Sequence, residues 1–211
     1  MRASRNKTIQ LEAGERASLA GRITDAGRIS PPTDIRDALI PGDAFQVLKL
    51  LPSATLNLLF AEPPYNLTKR FGKESFTQSS SEEYEGWLDT WLRLCSPLLM
   101  KTASVYICGD WRSAAAIQRV GSGYFKLRNR ITWEREKGRG ARANWKNAAE
   151  DIWFFTVSDG YTFSLDAVKQ RRRVIAPYRE NGEPKDWKES AAGKFRDTHP
   201  SNLWTDLTVP F

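Results

Sequence analysis

Apolar positions along the chain switch between helical spacing and strand-like runs, and these switches divide it into elements. Residues 1–33 are polar. They carry one short helical pattern at 11–20 and end at the breaker Ser30-Pro31-Pro32. Ala38-Leu39-Ile40 is a brief apolar run that stops at Gly42. Asp43 then stands as the N-cap of a helix over 44–51, where Phe45, Leu48 and Leu51 recur at helical spacing until Pro52 ends it. Leu56-Asn57-Leu58-Leu59-Phe60-Ala61 reads as a buried strand running into Glu62-Pro63-Pro64-Tyr65. Two prolines cannot continue a ladder, so the sheet ends there and the chain turns.

Ser80-Ser81-Glu82-Glu83 is a capping-box pattern. The helix it opens places Tyr84, Trp87, Leu88, Trp91, Leu92 and Cys95 on one face, and Pro97 lies at its end. A strand at 104–108, a helix at 111–120 and a strand at 125–133 follow. After a polar, basic stretch, 151–157 and 161–165 read as a hairpin around Ser158-Asp159-Gly160. Beyond Asp166 the pattern fades into a basic run at 169–173 and a polar, irregular stretch at 178–198. Apolar strands alternating with amphipathic helices predict an α/β fold with an open, mostly parallel sheet. Ligands of such sheets sit outside the carboxyl ends of the strands, and both 62–66 and 109–111 fall at that edge.

The 211 residues are 40% hydrophobic and include ten Phe, eight Trp and six Tyr, enough for a substantial core and too apolar for wholesale disorder. No run approaches the roughly 20 apolar residues of a membrane span. The first ten residues lack the apolar core of a secretory signal, so a cytoplasmic protein without membrane contact is expected. Two cysteines, Cys95 and Cys108, and a single histidine, His199, make a disulfide scaffold and a Cys/His zinc site poor readings, and no metal is expected. One histidine also argues against a Ser-His-Asp hydrolase. The formal charge of +7 favours a polyanionic partner, with solvated basic faces as the alternative.

The segment from Glu62 to Asn66 carries the chemistry. A strand delivers a carboxylate to the sheet edge, the prolines turn carbonyl oxygens outward without offering N–H groups, and an aromatic ring follows. One carboxylate oxygen and one backbone carbonyl match the two hydrogens of an exocyclic amine. The tyrosine offers a face for a flat heterocycle, so the group reads as a receptor for a nucleobase turned out of its helix. Read alone, the tetrapeptide is equally a rigid turn with Glu62 solvated.

Glu62-Pro63-Pro64-Tyr65 resembles the Asp-Pro-Pro-Tyr motif of amino-group (N6-adenine/N4-cytosine) DNA methyltransferases. Ile40-Pro41-Gly42-Asp43-Ala44-Phe45, segments 56–67, 104–111, 128–137 and 150–168, and the helix from Ser80 are similar to that family in order and spacing. They are most similar to its β permutation, in which the catalytic motif comes early and the cofactor loop late. The resemblance runs from about residue 34 onward. It implies a Rossmann-like methyltransferase sheet, S-adenosylmethionine as cofactor, double-stranded DNA as partner, base flipping and a restriction-modification setting. An acidic first motif residue goes with adenine, so site-specific adenine-N6 methylation is implied. Glu62 and the Pro63 carbonyl would hold the amino group, Tyr65 would stack on the flipped base, and Asn66 would stabilise the turn. Asp43, Ala44 and Glu62 would face the cofactor, although Asp43 reads equally as a plain helix cap. Residues 1–33 would form an N-terminal arm, 34–168 the catalytic portion and 169–211 a target-recognition-like segment.

Two departures shape the expectation. The motif starts with Glu62 where the family has Asp, one methylene longer, so altered or lost turnover is expected. The family's Phe-x-Gly-x-Gly loop is not found, and His199-Pro200-Ser201 is not the element that precedes it, because Asn202-Leu203-Trp204 follows. The resemblance therefore implies an incomplete sheet lacking two central strands, with an unpaired central edge and an open cofactor pocket. On that reading the chain is a fragment or half of a split enzyme. It would need a C-terminal complement or a second copy, and alone would bind S-adenosylmethionine weakly or not at all. The competing reading is a catalytically inactive DNA-binding remnant.

Between Arg128 and Lys146 stand seven basic residues against two acidic ones, with Trp133 and Trp145 interleaved. Lys137, Arg139, Arg142 and Lys146 are candidates for phosphate contacts from a loop beside the catalytic edge. Lys169, Arg171, Arg172 and Arg173 form a second candidate patch. A solvated loop is the alternative for the first group. Trp87, Trp91, Trp153, Phe154 and Phe155 sit at core spacing, and both cysteines read as small buried residues.

Overall fold

The computed structural model describes residues 11–29, 35, 37–71, 74–135, 143–175, 177–205 and 207. Near the start, helix α1 (Ala13–Ala20) is closed by a reciprocal capping box between Glu12 and Glu15. Ile23 bridges Leu39, and Ile29 is buried. Asp43 caps α2 (Ala44–Val47), its Oδ1 accepting from the Gln46 amide at 3.1 Å. The α-helix is shorter than its apolar spacing suggests, because it tightens into a 3-10 turn at Leu48–Leu50 before Pro52.

The strands, in chain order, are β1 (Leu56–Ala61), β2 (Lys69–Phe71), β3 (Glu74–Phe76), β4 (Leu99–Gly109), β5 (Lys126–Glu134), β6 (Ala149–Thr156), β7 (Gln170–Arg173), β8 (Arg179–Glu180), β9 (Glu183–Pro184), β10 (Lys188–Ser190), β11 (Gly193–Thr198) and β12 (Leu203–Trp204). Five of them form the central sheet in the order β1-β4-β6-β5-β12. β1 runs parallel to β4 and β12 parallel to β5, whereas β6 lies antiparallel between β4 and β5. Four strands therefore point the same way, and the α/β sheet is mainly parallel with one reversed strand.

Two helices cover one face. In α3 (Ser81–Cys95), Ser80 Oγ accepts from Glu83 N while the Glu83 carboxylate accepts from Ser80 N, completing the expected capping box. Helix α4 is Ala114–Tyr124. Ala103, Val105 and Ile107 of β4 alternate toward these helices and meet Leu88, Leu92, Ile117 and Phe155, all fully buried. Gly121 lets α4 approach the sheet this closely, since a Cβ there would lie 2.6 Å from Phe155 Cζ. Trp87, Trp91 and Trp153 pack against this core at half-burial, and Cys95 and Cys108 are buried free thiols.

The opposite face carries an aromatic row. Tyr106 stacks on Phe154 at 4.7 Å and lies 6.3 Å from Phe60. An open cavity of about 610 Å³ runs along it, bordered by Leu58, Phe60, Phe154, Phe163 and Trp204. Leu58 and Phe60 are 56% and 60% exposed, and among the described residues no strand pairs with the outer edge of β1. The strand expected to be buried is thus an edge strand. Its apolar pattern was compatible with two covered faces, and only the α3–α4 side is covered.

Two further expectations are corrected. Segments 151–157 and 161–165 do not form a hairpin, because both edges of β6 are already taken by β4 and β5. Tyr161 and Phe163 instead pack their rings on Phe154 at 5.9 and 6.1 Å. The polar stretch 178–198 is not irregular: β8 and β9 form one hairpin, and β10, β11 and β7 a three-stranded antiparallel sheet.

Candidate active site

Parallel pairing of Ala61 with Ile107 brings the ends of β1 and β4 to one rim. The chain leaves β1 through exposed Glu62, buried Pro63 and exposed Pro64. Neighbouring elements then clamp it at several points. Tyr84, in the first turn of α3, donates its hydroxyl to the Pro64 carbonyl at 3.0 Å. Burial pushes the Tyr84 phenol up to about 12, so it stays a donor. The Asn66 backbone N–H donates to Ser113 Oγ at 3.2 Å, and that hydroxyl donates to Asp110 Oδ1 at 2.7 Å. Ser113 and Asp110 are both buried. The Asn66 side chain completes a clasp, with Nδ2 donating to Ser79 O at 3.0 Å and Oδ1 accepting from Ser79 N at 2.8 Å.

Half-buried Tyr65 points toward β6, where its hydroxyl donates to Glu150 Oε2 at 3.2 Å. The other carboxylate oxygen of Glu150 is paired with Arg135, whose guanidinium lies 5.2 Å from the centre of the Trp133 ring. Burial, then the charges of Glu150 and Glu62, drive the Tyr65 phenol far above the ordinary range. Burial first, then Glu62 and Glu150, likewise push the Cys108 thiol up to about 11. Glu62, Tyr65, Cys108 and Glu150 therefore share one electrostatic neighbourhood. Both the phenol and the thiol stay protonated at neutral pH, and the carboxylates supply the acceptors. A cavity of about 270 Å³ adjoins the loop, lined by Pro64, Tyr65, Phe76, Tyr84 and Trp87 among others. Phe45 of α2, two residues after the cap Asp43, meets Trp87 edge-on at 6.3 Å.

The basic candidates lie only partly within the described residues. Lys137, Arg139 and Arg142 lie outside the described residues, while Lys146 is exposed beside Trp145. Arg128 and Arg130, in the same basic stretch, belong to β5 and are paired with Asp159 and Asp151. Lys169 is paired with Asp166 at 2.6 Å and Arg171 with Asp197 at 3.2 Å. Arg172 donates to Gln170 and, with Arg173, lies on β7, where Arg172 stands opposite Arg196 of β11. Like charges directly opposite on a strand pair are unfavourable by themselves.

Sequence reasoning placed 109–111 at the rim without giving Asp110 a role, and it missed Ser79, Ser113, Arg135 and Glu150, which also build the site. Asp110 and Ser113 had a readable signal, an acceptor three residues ahead of a backbone donor at a helix start. Tyr84 was read as core, which it is, but its hydroxyl also holds the loop.

Comparison with known proteins decides the family. A family model described as DNA methylase matches residues 56–209. This chain belongs to the DNA methylase family of amino-methyltransferases. The chain is 30% identical over 152 residues to the DNA adenine methyltransferase YhdJ of Escherichia coli (strain K12), covering 68% of this chain and 51% of that protein. It is 26% identical over 171 residues to the Type II methyltransferase M.HpaI of Haemophilus parainfluenzae, covering 79% of this chain and 49% of the relative. The chain thus spans about half the length of both. Among solved structures, the cytosine-N4-specific PvuII DNA methyltransferase aligns with a TM-score of 0.48 and 16% identity, covering 82% of this chain and 56% of that chain. No helix among the described residues is long and apolar enough to cross a membrane.

Proposed function

We propose that this chain carries the base-holding side of a site-specific DNA adenine-N6 methyltransferase. The observation that supports it best is the clamped loop of residues 62–66, which ends a strand with an exposed carboxylate and a half-buried tyrosine at the sheet rim. Glu62 accepts one hydrogen of the N6 amino group and the Pro63 carbonyl accepts the other. Tyr65 stacks on the flipped purine. Two acceptors in this geometry leave the nitrogen lone pair pointing out of the base plane. As positive charge develops on N6, the Glu62 carboxylate stabilises it and passes the released proton to solvent.

S-adenosylmethionine, when bound, supplies an electrophilic methyl group. In this reading Asp43, Ala44 and Glu62 border its site. Asp43 is exposed and uses only Oδ1 for its cap, so Asp43 and Ala44 can border the cofactor on one side and Glu62 on the other. A second reading has specific support: among the described residues no strand pairs with the outer edge of β1, so the sheet is open beside the strand that carries Glu62. On this reading the chain alone binds DNA without turnover, and a C-terminal complement or a second copy closes the site.

The test incubates the chain with tritiated S-adenosylmethionine and unmethylated duplex DNA, digests the DNA to nucleosides and separates them by mass. N6-methyladenine supports the first reading, and N4-methylcytosine overturns its base assignment. Duplex binding at low salt without either product supports the second reading, and absence of binding overturns both.

A further inference from the structure

Glu150 reaches Tyr65 from the far side of the sheet. In the order β1-β4-β6 it sits on the third strand, 85 residues away in sequence. Its side chain is only 15% exposed and its carboxylate bridges two partners, Oε1 to Arg135 and Oε2 to the Tyr65 hydroxyl. Arg135 is fixed in turn: its backbone N–H donates to Ala148 O at 2.6 Å, and its guanidinium lies over the ring of Trp133, the cross-strand partner of Glu150. Pairing at one oxygen restrains the carboxylate that presents the other to Tyr65.

A tyrosine after two prolines has several staggered orientations open to it. The hydroxyl lies on the long axis of the ring, so a bond at that atom fixes where the axis points while the ring can still turn about it. Flanking side chains then set the plane. We infer that Glu150, held by Arg135, is a positioning residue that aims the Tyr65 ring along the rim before a base arrives. The inference rests on the reading that Tyr65 stacks on a base. It assigns to the β5–β6 end a task other than joining two strands. Ordering the ring beforehand removes a conformational loss from each binding event. It also leaves both chemical acceptors to Glu62 and Pro63.

A duplex carrying 2-aminopurine opposite an abasic site tests this without knowledge of a recognition sequence, because the probe base has no partner to leave. At low ionic strength, time-resolved fluorescence of the bound duplex resolves a short-lifetime component from aminopurine stacked on an aromatic ring. Tyr65→Leu is expected to abolish that component. Glu150→Ala and Tyr65→Phe are each expected to lower the stacked-to-unstacked ratio about tenfold, the lower range for a lost hydrogen bond to a charged acceptor. The double variant Tyr65→Phe/Glu150→Ala should fall no further, because nothing remains for Glu150 to hold. Glu150→Gln keeps an acceptor oxygen and should stay within about threefold of the parent. If Tyr65→Leu leaves the component unchanged, the stacking reading is overturned, and the inference with it. If Tyr65→Leu abolishes it but Glu150→Ala costs the same factor with and without the Tyr65 hydroxyl, positioning alone is overturned and Glu150 is a strut between β5 and β6. Tyr65→Phe removes one oxygen, so it keeps the test decisive should Glu150→Ala fold poorly.

Discussion

The clasp between Asn66 and Ser79 offers a quantitative check on how the loop is held. Asn66→Ala removes a donor to Ser79 O (3.0 Å) and an acceptor for Ser79 N (2.8 Å). Each bond has a net worth of about 1 kcal/mol. Both residues are half-buried, so water replaces the lost partners in part and the full penalty of buried orphan groups does not apply. The neighbouring cap at Ser80 keeps its own bonds to Glu83 and contributes little to the difference. The expected loss is therefore about 2 kcal/mol. Asn66→Asp behaves differently. It keeps the acceptor for Ser79 N, loses the donor and sets a carboxylate near Ser79 O. Its negative charge also lies just ahead of the α3 N-terminus, where it gains about 0.3–1 kcal/mol. A loss of about 1 kcal/mol or less is expected for that variant.

Urea unfolding followed by tryptophan fluorescence gives both differences from the midpoints at unchanged slope. Hydrogen exchange at the Ser79 amide locates them, because Asn66 Oδ1 is its acceptor. Exchange there should accelerate in Asn66→Ala and change little in Asn66→Asp. An Asn66→Ala variant within about 0.5 kcal/mol of the parent, or one whose Ser79 amide exchanges at the parent rate, refutes the idea that this clasp holds the loop. Asn66→Asp falling below Asn66→Ala refutes the contribution assigned to the helix terminus.

Two further expectations follow from the site and the core. Glu62→Asp draws the carboxylate back by one methylene, about 1.5 Å, in a kind of site where a 1 Å misplacement can cost about 10²-fold. Methyl transfer should rise in this variant, and no gain in the radiolabel assay rules out side-chain length as the limit. Burial raises Cys95 to about 12 and Cys108 to about 11 from an ordinary 9.0, so the folded state holds these protons more tightly than the unfolded one. Their stabilisation is complete below pH 9 and is lost as pH climbs toward 11 and 12. The urea midpoint should fall across that window, and a flat midpoint in a cysteine-retaining chain contradicts the burial of the thiols.

Much of the fold was legible wherever the determining signal is local. The capping box at Ser80, the strand read at 104–108 and the run ending at Ala61 each depend on a few consecutive residues, and the elements formed there, with β4 extended to Leu99–Gly109. Errors arose where a distant partner decides. The apolar residues at 161–165 have strand-like spacing, yet β6 had no free edge to offer them. One local signal was also misread: helix α4 begins at Ala114 and not at Trp111, because the Asp110 carboxylate takes the N–H of Ser113, three residues on, at 2.9 Å and turns the chain. One miss was avoidable. Asn181 and Gly182 both have positive φ, 53° and 88°, the backbone that a tight Asn-Gly hairpin turn requires, and that pair was readable in the sequence.

The candidate site divides along the same line. Glu62, Pro63, Tyr65 and Asn66 are consecutive, so their chemistry could be read as a unit. Glu150 had no such signal, because nothing in a polar stretch ahead of a strand marks one carboxylate among several. It becomes a neighbour of Tyr65 only because β6 inserts antiparallel beside β4, which brings its first residues to the rim where the parallel strands end. A reversed strand thus adds a strand start to a rim otherwise built from strand ends, and with it side chains from a second region of the sequence. In this chain that strand start supplies the acceptor for the Tyr65 hydroxyl. The turn after β4 supplies Ser113 and Asp110, and the approach to α3 supplies Ser79. A loop gripped from three separate elements keeps its shape without any one of them being rigid alone, and this is the property a receptor for an extruded base requires.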